Sequence, residues 1–308
     1  MKHLQQSVKQ VCALLLAMPL LIASSIAQGN DFPTAAPEDV GVSSERLQRL
    51  SNTMQRYIDS NMLAGTVSLV SRNGKVIHVE SQGWKNKEND EPMTDDSIFV
   101  IMSMTKPIVS TALMMLYEEG NFLLTDPITD WIPELEGKQV VIEEDGINYR
   151  MSAHRPITFR HVLSHTAGVD PSREVLTEEE LALLPRKATL EETIINRAPL
   201  PLSFHPGDDW QYGSSTDYVA LLVERISGQS LVDYLQEKIL DPLKMHDTSY
   251  IVPKDKIDRV AAVYSPSGPN QTIKLFRETE YRQTTYFGGV AGLSSTVSDY
   301  WRFSQMLL

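Results

Sequence analysis

The order of hydrophobic patterns along the chain limits its fold more than any other feature. Two runs rich in β-branched residues, 66–70 and 76–79, lie on either side of Asn73-Gly74, and this arrangement is a strong signal for a β-hairpin. Residues 103–244 then show mostly helical periodicity, and strand-like composition returns at 250–263 and 274–281. This order predicts an α+β fold in which an antiparallel sheet is flanked by helices and carries an inserted, mostly helical domain.

Apolar spacing and capping residues predict where the helices lie. Ser43 is a suitable N-cap for an amphipathic helix that extends to about Ile58. The spacing also predicts a long helix from Ser103 to Gly120, where glycine is a typical terminator. Further helices are expected at 158–164, 190–196, 217–226, 231–239 and 297–308.

The first residues carry the features of a secretory leader. Lys2 and Lys9 precede residues 11–26, which are almost all apolar or small. The small residues at the end of this segment, up to Ala27, are typical of a cleavage site. That run is shorter than the roughly 20 residues a membrane-spanning helix needs. We therefore expect a signal peptide at residues 1–27, no stable membrane span after its removal, and a periplasmic or secreted protein.

Composition removes several classes of function. The chain has 308 residues, 42% of them hydrophobic, and its 28 basic against 40 acidic residues give a net charge of −12. The hydrophobic fraction is typical of a folded soluble protein. The acidic net charge differs from the excess of basic residues expected of a nucleic-acid-binding protein. The single cysteine, Cys12, lies in the leader, so disulfides, cysteine nucleophiles and Cys-zinc sites are excluded from the mature chain.

A serine and a lysine three residues apart stand at the start of the long predicted helix. Ser103 and Lys106 would share one helix face. A serine hydroxyl becomes a good nucleophile when a neighbouring base removes its proton, and a buried lysine can act as that base. The pattern Ser-x-x-Lys is common, and a capping serine followed by a surface lysine would also produce it. The apolar residues on both sides favour a buried helix start.

A tyrosine motif follows about a hundred residues later. Tyr212 precedes Gly213 and Ser214 and lies after the turn signal Pro206-Gly207, so it is expected on a loop. Beside a Ser-Lys pair, a tyrosine could carry protons as a tyrosinate. Taken alone, it could equally be an aromatic side chain packed under the loop.

Together these motifs resemble those of the serine β-lactamase-like superfamily, which includes class C β-lactamases, D-alanyl-D-alanine carboxypeptidases and related esterases. The resemblance extends from about residue 42 to residue 308, and it implies the β-lactamase/transpeptidase fold. It would divide the chain into a leader at 1–27, a sheet domain at 28–102 and 245–308, and a helical domain at 103–244. The motifs that carry it are Ser103-Met104-Thr105-Lys106, Leu163-Ser164-His165-Thr166-Ala167-Gly168, Tyr212-Gly213-Ser214 and Gly288-Gly289-Val290-Ala291-Gly292-Leu293.

The resemblance also implies a role for each residue. Ser103 would form an acyl-enzyme, Lys106 would be its general base, and Tyr212 would pass the proton to the leaving group. Ser214 and Gly289 would contact the substrate. Class C β-lactamases usually have Asn where Ser214 stands, which favours an esterase or a peptidase. An esterase acting on small acyl esters is the leading hypothesis. No metal or other cofactor is implied.

The family has a third motif, a Lys-Thr-Gly, His-x-Gly or Trp-Gly-Gly segment, on a strand near its C-terminus. No such segment is present. We therefore expect the sequence to lack the C-terminal strands of the sheet and the second backbone N–H of the oxyanion hole.

Alternative functions remain open from the sequence. A β-lactamase or D-alanyl-D-alanine carboxypeptidase would use the same residues on a β-lactam or a peptidoglycan-like peptide. An inactive homologue that binds peptides would explain the missing third motif. His161 and His165 have metal-ligand spacing, but Val162 stands where a zincin has Glu, so a structural role is expected. The Gly-x-Ser-x-Gly pattern of α/β-hydrolases is absent.

Overall fold

A computed structural model of the chain describes residues 32–267, 272–281 and 283–308. The predicted leader at residues 1–27 lies outside this part of the chain. Residues 34–308 form one compact unit. The expected division into a sheet domain and a helical domain stays a prediction.

The first helix and hairpin form as predicted. Helix α1 covers Ser44–Asp59, and the Ser43 hydroxyl accepts a hydrogen bond from the backbone N–H of Arg46. Strands β1 (Gly65–Arg72) and β2 (Lys75–Asn86) pair in antiparallel register. Asn73 and Gly74 both have positive φ angles, 52° and 70°, as a tight hairpin turn requires. Strand β3, Glu91–Pro92, pairs with the other side of β2, and α1 packs against β2.

The remaining elements are short strand pairs and helices, with a run of helices between β6 and β7. Strand β4 pairs antiparallel with β9, β5 with β6, and β7 with β8. Their bounds are β4 Phe99–Val100, α2 Thr105–Glu118, β5 Gln139–Glu144, β6 Ile147–Ser152, α3 Phe159–Leu163, α4 Glu178–Leu181, α5 Leu190–Arg197, α6 Ser215–Ser227, α7 Leu231–Leu235, β7 Val263–Ser267, β8 Thr272–Arg277, β9 Ser294–Ser295 and α8 Val297–Leu307.

The hydrophobic core is centred on α2 and α6, which pack against each other. Ile108 and Leu113 of α2 and Val219 and Leu222 of α6 are fully buried. Helices α3, α5 and α7 pack around α6. The core therefore fixes the start of α2 relative to the loop that leads into α6, and these are the two places where the predicted catalytic residues lie.

Three segments differ from the sequence-based expectation. The long helix begins at Thr105, and Ser103 lies in a 3₁₀ turn at Met102–Met104 that precedes it. Residues 250–263 were expected to form a strand, but they contain a 3₁₀ turn at Lys254–Arg259 that bonds to the segment before β4. The β5–β6 hairpin was not predicted, although Asp145-Gly146, with φ of 53° and 77°, is a hairpin signal.

The predicted α+β fold class is confirmed, because the described residues form packed helices together with antiparallel strand pairs. No helix in the described part of the chain combines the length and apolarity that crossing a bilayer requires.

Candidate active site

The start of α2 brings Ser103 and Lys106 together. Lys106 is buried, with 8% of its surface exposed, whereas Ser103 is exposed. The Lys106 Nζ lies 3.0 Å from the Ser103 Oγ, to which it donates a hydrogen bond. It donates a second, also of 3.0 Å, to the backbone oxygen of Val290. The buried Lys106 Nζ thus has two hydrogen-bond acceptors, one of them the predicted nucleophile.

The turn that presents Ser103 has an unusual backbone. Met102 has a φ of 46°, which is uncommon for a residue other than glycine. Neighbouring segments hold the turn on both sides: the Ile101 N–H donates to the oxygen of Leu293 at 3.0 Å, and the Tyr300 hydroxyl donates to the oxygen of Met104 at 3.2 Å. Strain of this kind persists only where surrounding contacts maintain it, and it commonly marks functional sites.

Tyr212 completes the predicted group of three. The Lys106 Nζ lies 4.6 Å from the centre of the Tyr212 ring, and 53% of the Tyr212 surface is exposed. Hydrogen bonding to the Lys106 amine lowers the pKa of Tyr212 most, and hydrogen bonding to the Ser103 hydroxyl lowers it further. The structure thus places Ser103, Lys106 and Tyr212 side by side at the surface, with the lysine underneath.

Asp170 fixes the loop that carries Tyr212, although no sequence pattern points to this aspartate. Its carboxylate accepts hydrogen bonds from the Ser214 N–H at 2.7 Å and from the Ser214 hydroxyl at 2.6 Å. A Cβ at Gly213 would overlap this carboxylate, so glycine is required there. The Ser214 hydroxyl is directed to Asp170, which makes it an anchor of the loop; its predicted contact with substrate stays a prediction.

The glycine-rich segment before β9 is held by Asp217 of α6. The buried Asp217 carboxylate accepts hydrogen bonds from the Val290 N–H at 3.0 Å and from the Tyr286 hydroxyl at 2.9 Å. Gly289 is buried, and a Cβ there would overlap the backbone of Thr216. Its substrate contact likewise stays a prediction. Because Gly289 has no side chain, this segment can lie against the backbone of Thr216, and the Val290 carbonyl accepts a hydrogen bond from Lys106.

The two histidines with metal-ligand spacing have different surroundings. His161 Nδ1 accepts a hydrogen bond from the Thr158 N–H at the start of α3. His165 lies beyond the helix with a φ of 58°, and its ring centre is 5.0 Å from that of Tyr212. Burial and then Lys106 lower the pKa of His165, which favours the neutral imidazole beside the lysine. Within the described residues, no group of three side chains is placed to hold a metal ion.

Two cavities adjoin the turn that carries Ser103, and Met102 lines both of them. One, of about 420 Å³, extends past Ala291 and Gly292 to Arg186 and Tyr286. The other, of about 620 Å³, is mostly apolar and lies between β1 and α8.

Residues 50–308 match the profile of the protein family described as Beta-lactamase. The chain belongs to the Beta-lactamase family. Protein Rv1367c of Mycobacterium tuberculosis is 31% identical over 260 residues, which are 83% of this chain and 65% of that protein. Esterase EstB of Burkholderia gladioli is 27% identical over 278 residues, 82% of this chain and 68% of EstB.

A solved structure supports the same family at the level of the fold. EstCE1, described as a hydrolase with promiscuous acyltransferase activity, superposes with a TM-score of 0.70 at 22% identity, covering 85% of this chain and 72% of EstCE1. The family match and the similarity to Rv1367c confirm the predicted superfamily. This Beta-lactamase family chain spans about two thirds of the length of its relatives, 65% for Rv1367c and 68% for EstB.

Proposed function

We propose that the protein is a serine hydrolase that forms an acyl-enzyme on Ser103, and that its substrates are small acyl esters. The observation that carries the proposal is the 3.0 Å contact between the buried Lys106 Nζ and the exposed Ser103 Oγ, with the Tyr212 ring 4.6 Å from the same nitrogen. The likeness to esterase EstB and to the hydrolase EstCE1 supports it. Ser214 at the third position of the tyrosine motif favours an ester over a β-lactam.

The three side chains supply each proton transfer the reaction needs. The Ser103 Oγ bonds to the ester carbonyl carbon while its proton passes to Lys106. Lys106 passes that proton to the Tyr212 phenolate, which delivers it to the leaving alcohol oxygen as the C–O bond breaks, and the acyl group stays on Ser103. In the second step the Tyr212 phenolate takes a proton from water as the water oxygen attacks the acyl carbon. That proton returns through Lys106 to the Ser103 Oγ as the acid leaves. The partial positive charge at the N-terminus of α2 favours the developing oxyanion.

Hydrolysis of p-nitrophenyl esters by the wild type and by Ser103→Ala tests the proposal. We expect the substitution to lower kcat by at least about a thousandfold, as removal of a nucleophile does in other hydrolases. Ser110→Ala, on the same helix, is the matched control and should keep wild-type turnover. Unchanged turnover in Ser103→Ala would refute the assignment.

The same preparation separates the ester proposal from its alternatives. Nitrocefin, a D-Ala-D-Ala peptide and a short acyl ester are compared by kcat/KM, because substrate choice in one fold depends on the residues around the site. The highest value is expected for the ester. A higher value for nitrocefin or for the peptide would instead assign a β-lactamase or a carboxypeptidase, and absence of turnover for all three would favour the peptide-binding homologue.

We also propose that the protein is exported to the periplasm or beyond the cell. The charged start, apolar run and small residues up to Ala27 support this. Expression of the full chain in a Gram-negative host, followed by fractionation and intact-mass measurement, tests it. Export predicts periplasmic protein that lacks residues 1–27, whereas uncleaved cytosolic protein would contradict it.

A further inference from the structure

Arg186 is a charged residue near the site that has no acidic partner among the described residues. It lies on the exposed segment between α4 and α5, and its guanidinium carbon is 4.5 Å from the centre of the Tyr286 ring. Within the described residues it makes no ion pair. Several other arginines do form such pairs, namely Arg49, Arg150, Arg155, Arg225 and Arg259.

The cavity in front of Arg186 adjoins the turn that carries the candidate nucleophile. Its volume is about 420 Å³, and its wall includes Met102, the residue before Ser103. Ala291 and Gly292 line it too, directly after the Val290 carbonyl that accepts from Lys106. A group bound against Arg186 therefore lies in a cavity that adjoins the turn of Ser103.

Neighbouring contacts hold Tyr286 and the segment that carries Arg186 in place. The Tyr286 hydroxyl donates to Asp217 at 2.9 Å, which fixes the ring. The Thr285 hydroxyl donates to the oxygen of Ala188 at 2.6 Å, which ties the two segments together. An arginine stacked on an aromatic ring keeps the N–H groups at its edge available for a planar anion.

The other charges of this cavity already have partners. Glu278 accepts a hydrogen bond from the Asn86 amide at 3.0 Å. Arg277 and Glu280 also line the cavity and have interactions of their own. Among the charged side chains described in this wall, Arg186 is thus the one whose donors are left for a ligand.

We propose that Arg186 binds a carboxylate carried by the substrate, so that the enzyme prefers esters with a carboxylate on the acyl or the alcohol side. This inference rests on the proposed ester hydrolysis at Ser103. A guanidinium binds a carboxylate through two parallel N–H···O bonds, which orients the substrate as well as adding affinity. The acyl transfer itself is unchanged, since Arg186 contributes to binding and not to the proton transfers.

Three esters test this proposal, with Arg186→Gln compared against the wild type on each. p-Nitrophenyl hexanoate is neutral, the p-nitrophenyl monoester of adipic acid carries a carboxylate on the acyl side, and 4-carboxyphenyl hexanoate carries one on the alcohol side. We expect Arg186→Gln to lower kcat/KM about tenfold for one of the charged esters, mainly through KM, and to change the neutral ester less than twofold. Tenfold corresponds to about 1.4 kcal/mol. Added NaCl should weaken the wild-type preference for the same charged ester.

The control is Arg173→Gln, which removes another exposed arginine that does not line the cavity. It should leave all three rates unchanged, and the melting temperature of both variants checks that they fold. Equal effects of Arg186→Gln on all three esters, or no effect on any, would overturn the inference while Ser103-dependent hydrolysis of the neutral ester stands. Failure of the wild type to hydrolyse any ester, or hydrolysis that survives Ser103→Ala, would instead overturn the proposed function.

Discussion

Tyr212 shows how position sets the acidity of a single side chain. About half of the Tyr212 surface is exposed, so burial has little effect on the pKa of its hydroxyl. The Lys106 amine and then the Ser103 hydroxyl lower the pKa of Tyr212 because both interact favourably with the phenolate. The phenolate, which can accept a proton, is therefore populated at a lower pH than in an isolated tyrosine.

We predict a pH dependence from this shift. In the wild type, kcat/KM for a neutral ester should rise with pH through an apparent pKa below the ordinary tyrosine value of about 10. Tyr212→Phe should remove that rise and lower kcat/KM by at least about a hundredfold. A Tyr212→Phe enzyme with the wild-type pH profile would show that another group is the one titrating.

At the scale of an element, the loop before α6 is positioned from one side by Asp170. Both the N–H and the hydroxyl of Ser214 bind its carboxylate, and Gly213 leaves the space that this approach needs. Gln211 donates to the backbone oxygen of Asp170 at 2.9 Å. These contacts fix the direction from which Tyr212 faces Lys106.

Two substitutions in that loop should therefore differ in severity. Ser214→Ala removes one of the two bonds to Asp170 and should lower kcat several-fold with little change in KM. Gly213→Ala forces the loop away from Asp170 and should lower kcat by at least about tenfold, with Tyr212 still present. Steady-state kinetics distinguish this from direct substrate binding by Ser214, which would instead raise KM and leave kcat nearly unchanged.

At the scale of the whole molecule, Asp247 joins segments that are far apart in sequence. It accepts hydrogen bonds from Lys256 at 2.8 Å and from Arg259 at 2.6 and 3.0 Å. Its own N–H donates to Asp299 in the first turn of α8, and Arg259 also reaches the oxygen of Asp96. Burial raises the pKa of Asp247, but Arg259 and Lys256 outweigh that effect and lower it overall.

The sign of this shift predicts how stability depends on pH. A carboxyl with a lower pKa in the folded state stabilises the protein above the unfolded pKa of about 3.9, and that contribution is lost as the pH falls through the folded pKa. Asp247→Asn should therefore lower the free energy of unfolding by about 2 kcal/mol at pH 7. The difference from the wild type should shrink below about pH 4. Urea unfolding of both proteins across pH measures it, and a difference that persists undiminished at pH 3 would contradict the assignment.

The sequence predicted the parts of the molecule that local patterns determine. The Asn73-Gly74 hairpin and α1 follow from turn chemistry, capping and apolar spacing, and the Ser103–Lys106 contact follows from helical spacing. Tyr212 was placed with them by resemblance, and the structure brings it to within 4.6 Å of the Lys106 nitrogen.

The parts that were missed depend on contacts between distant residues. Asp170 binds Ser214 across 44 positions, and Asp217 binds Val290 across 73. No local pattern marks an aspartate that acts through a contact so far along the chain. Strands β4 and β9 have two residues each, too few for an alternating pattern. At residues 250–263, β-branched composition favoured a strand, but tertiary contacts around Arg259 fold the segment into a turn.

Covalent labelling at Ser103 is the measurement that tests the central claim most directly. The protein is incubated with a fluorophosphonate, which bonds to an activated serine with loss of fluoride, and its intact mass and peptide map are then recorded. We predict one label per chain, located on Ser103. The label should be absent in Ser103→Ala and retained in Ser110→Ala. In Lys106→Arg it should form at least about a hundredfold more slowly, since arginine stays protonated and cannot act as the base. Labelling of Ser103→Ala at the wild-type rate, or a label on a different residue, would contradict the account.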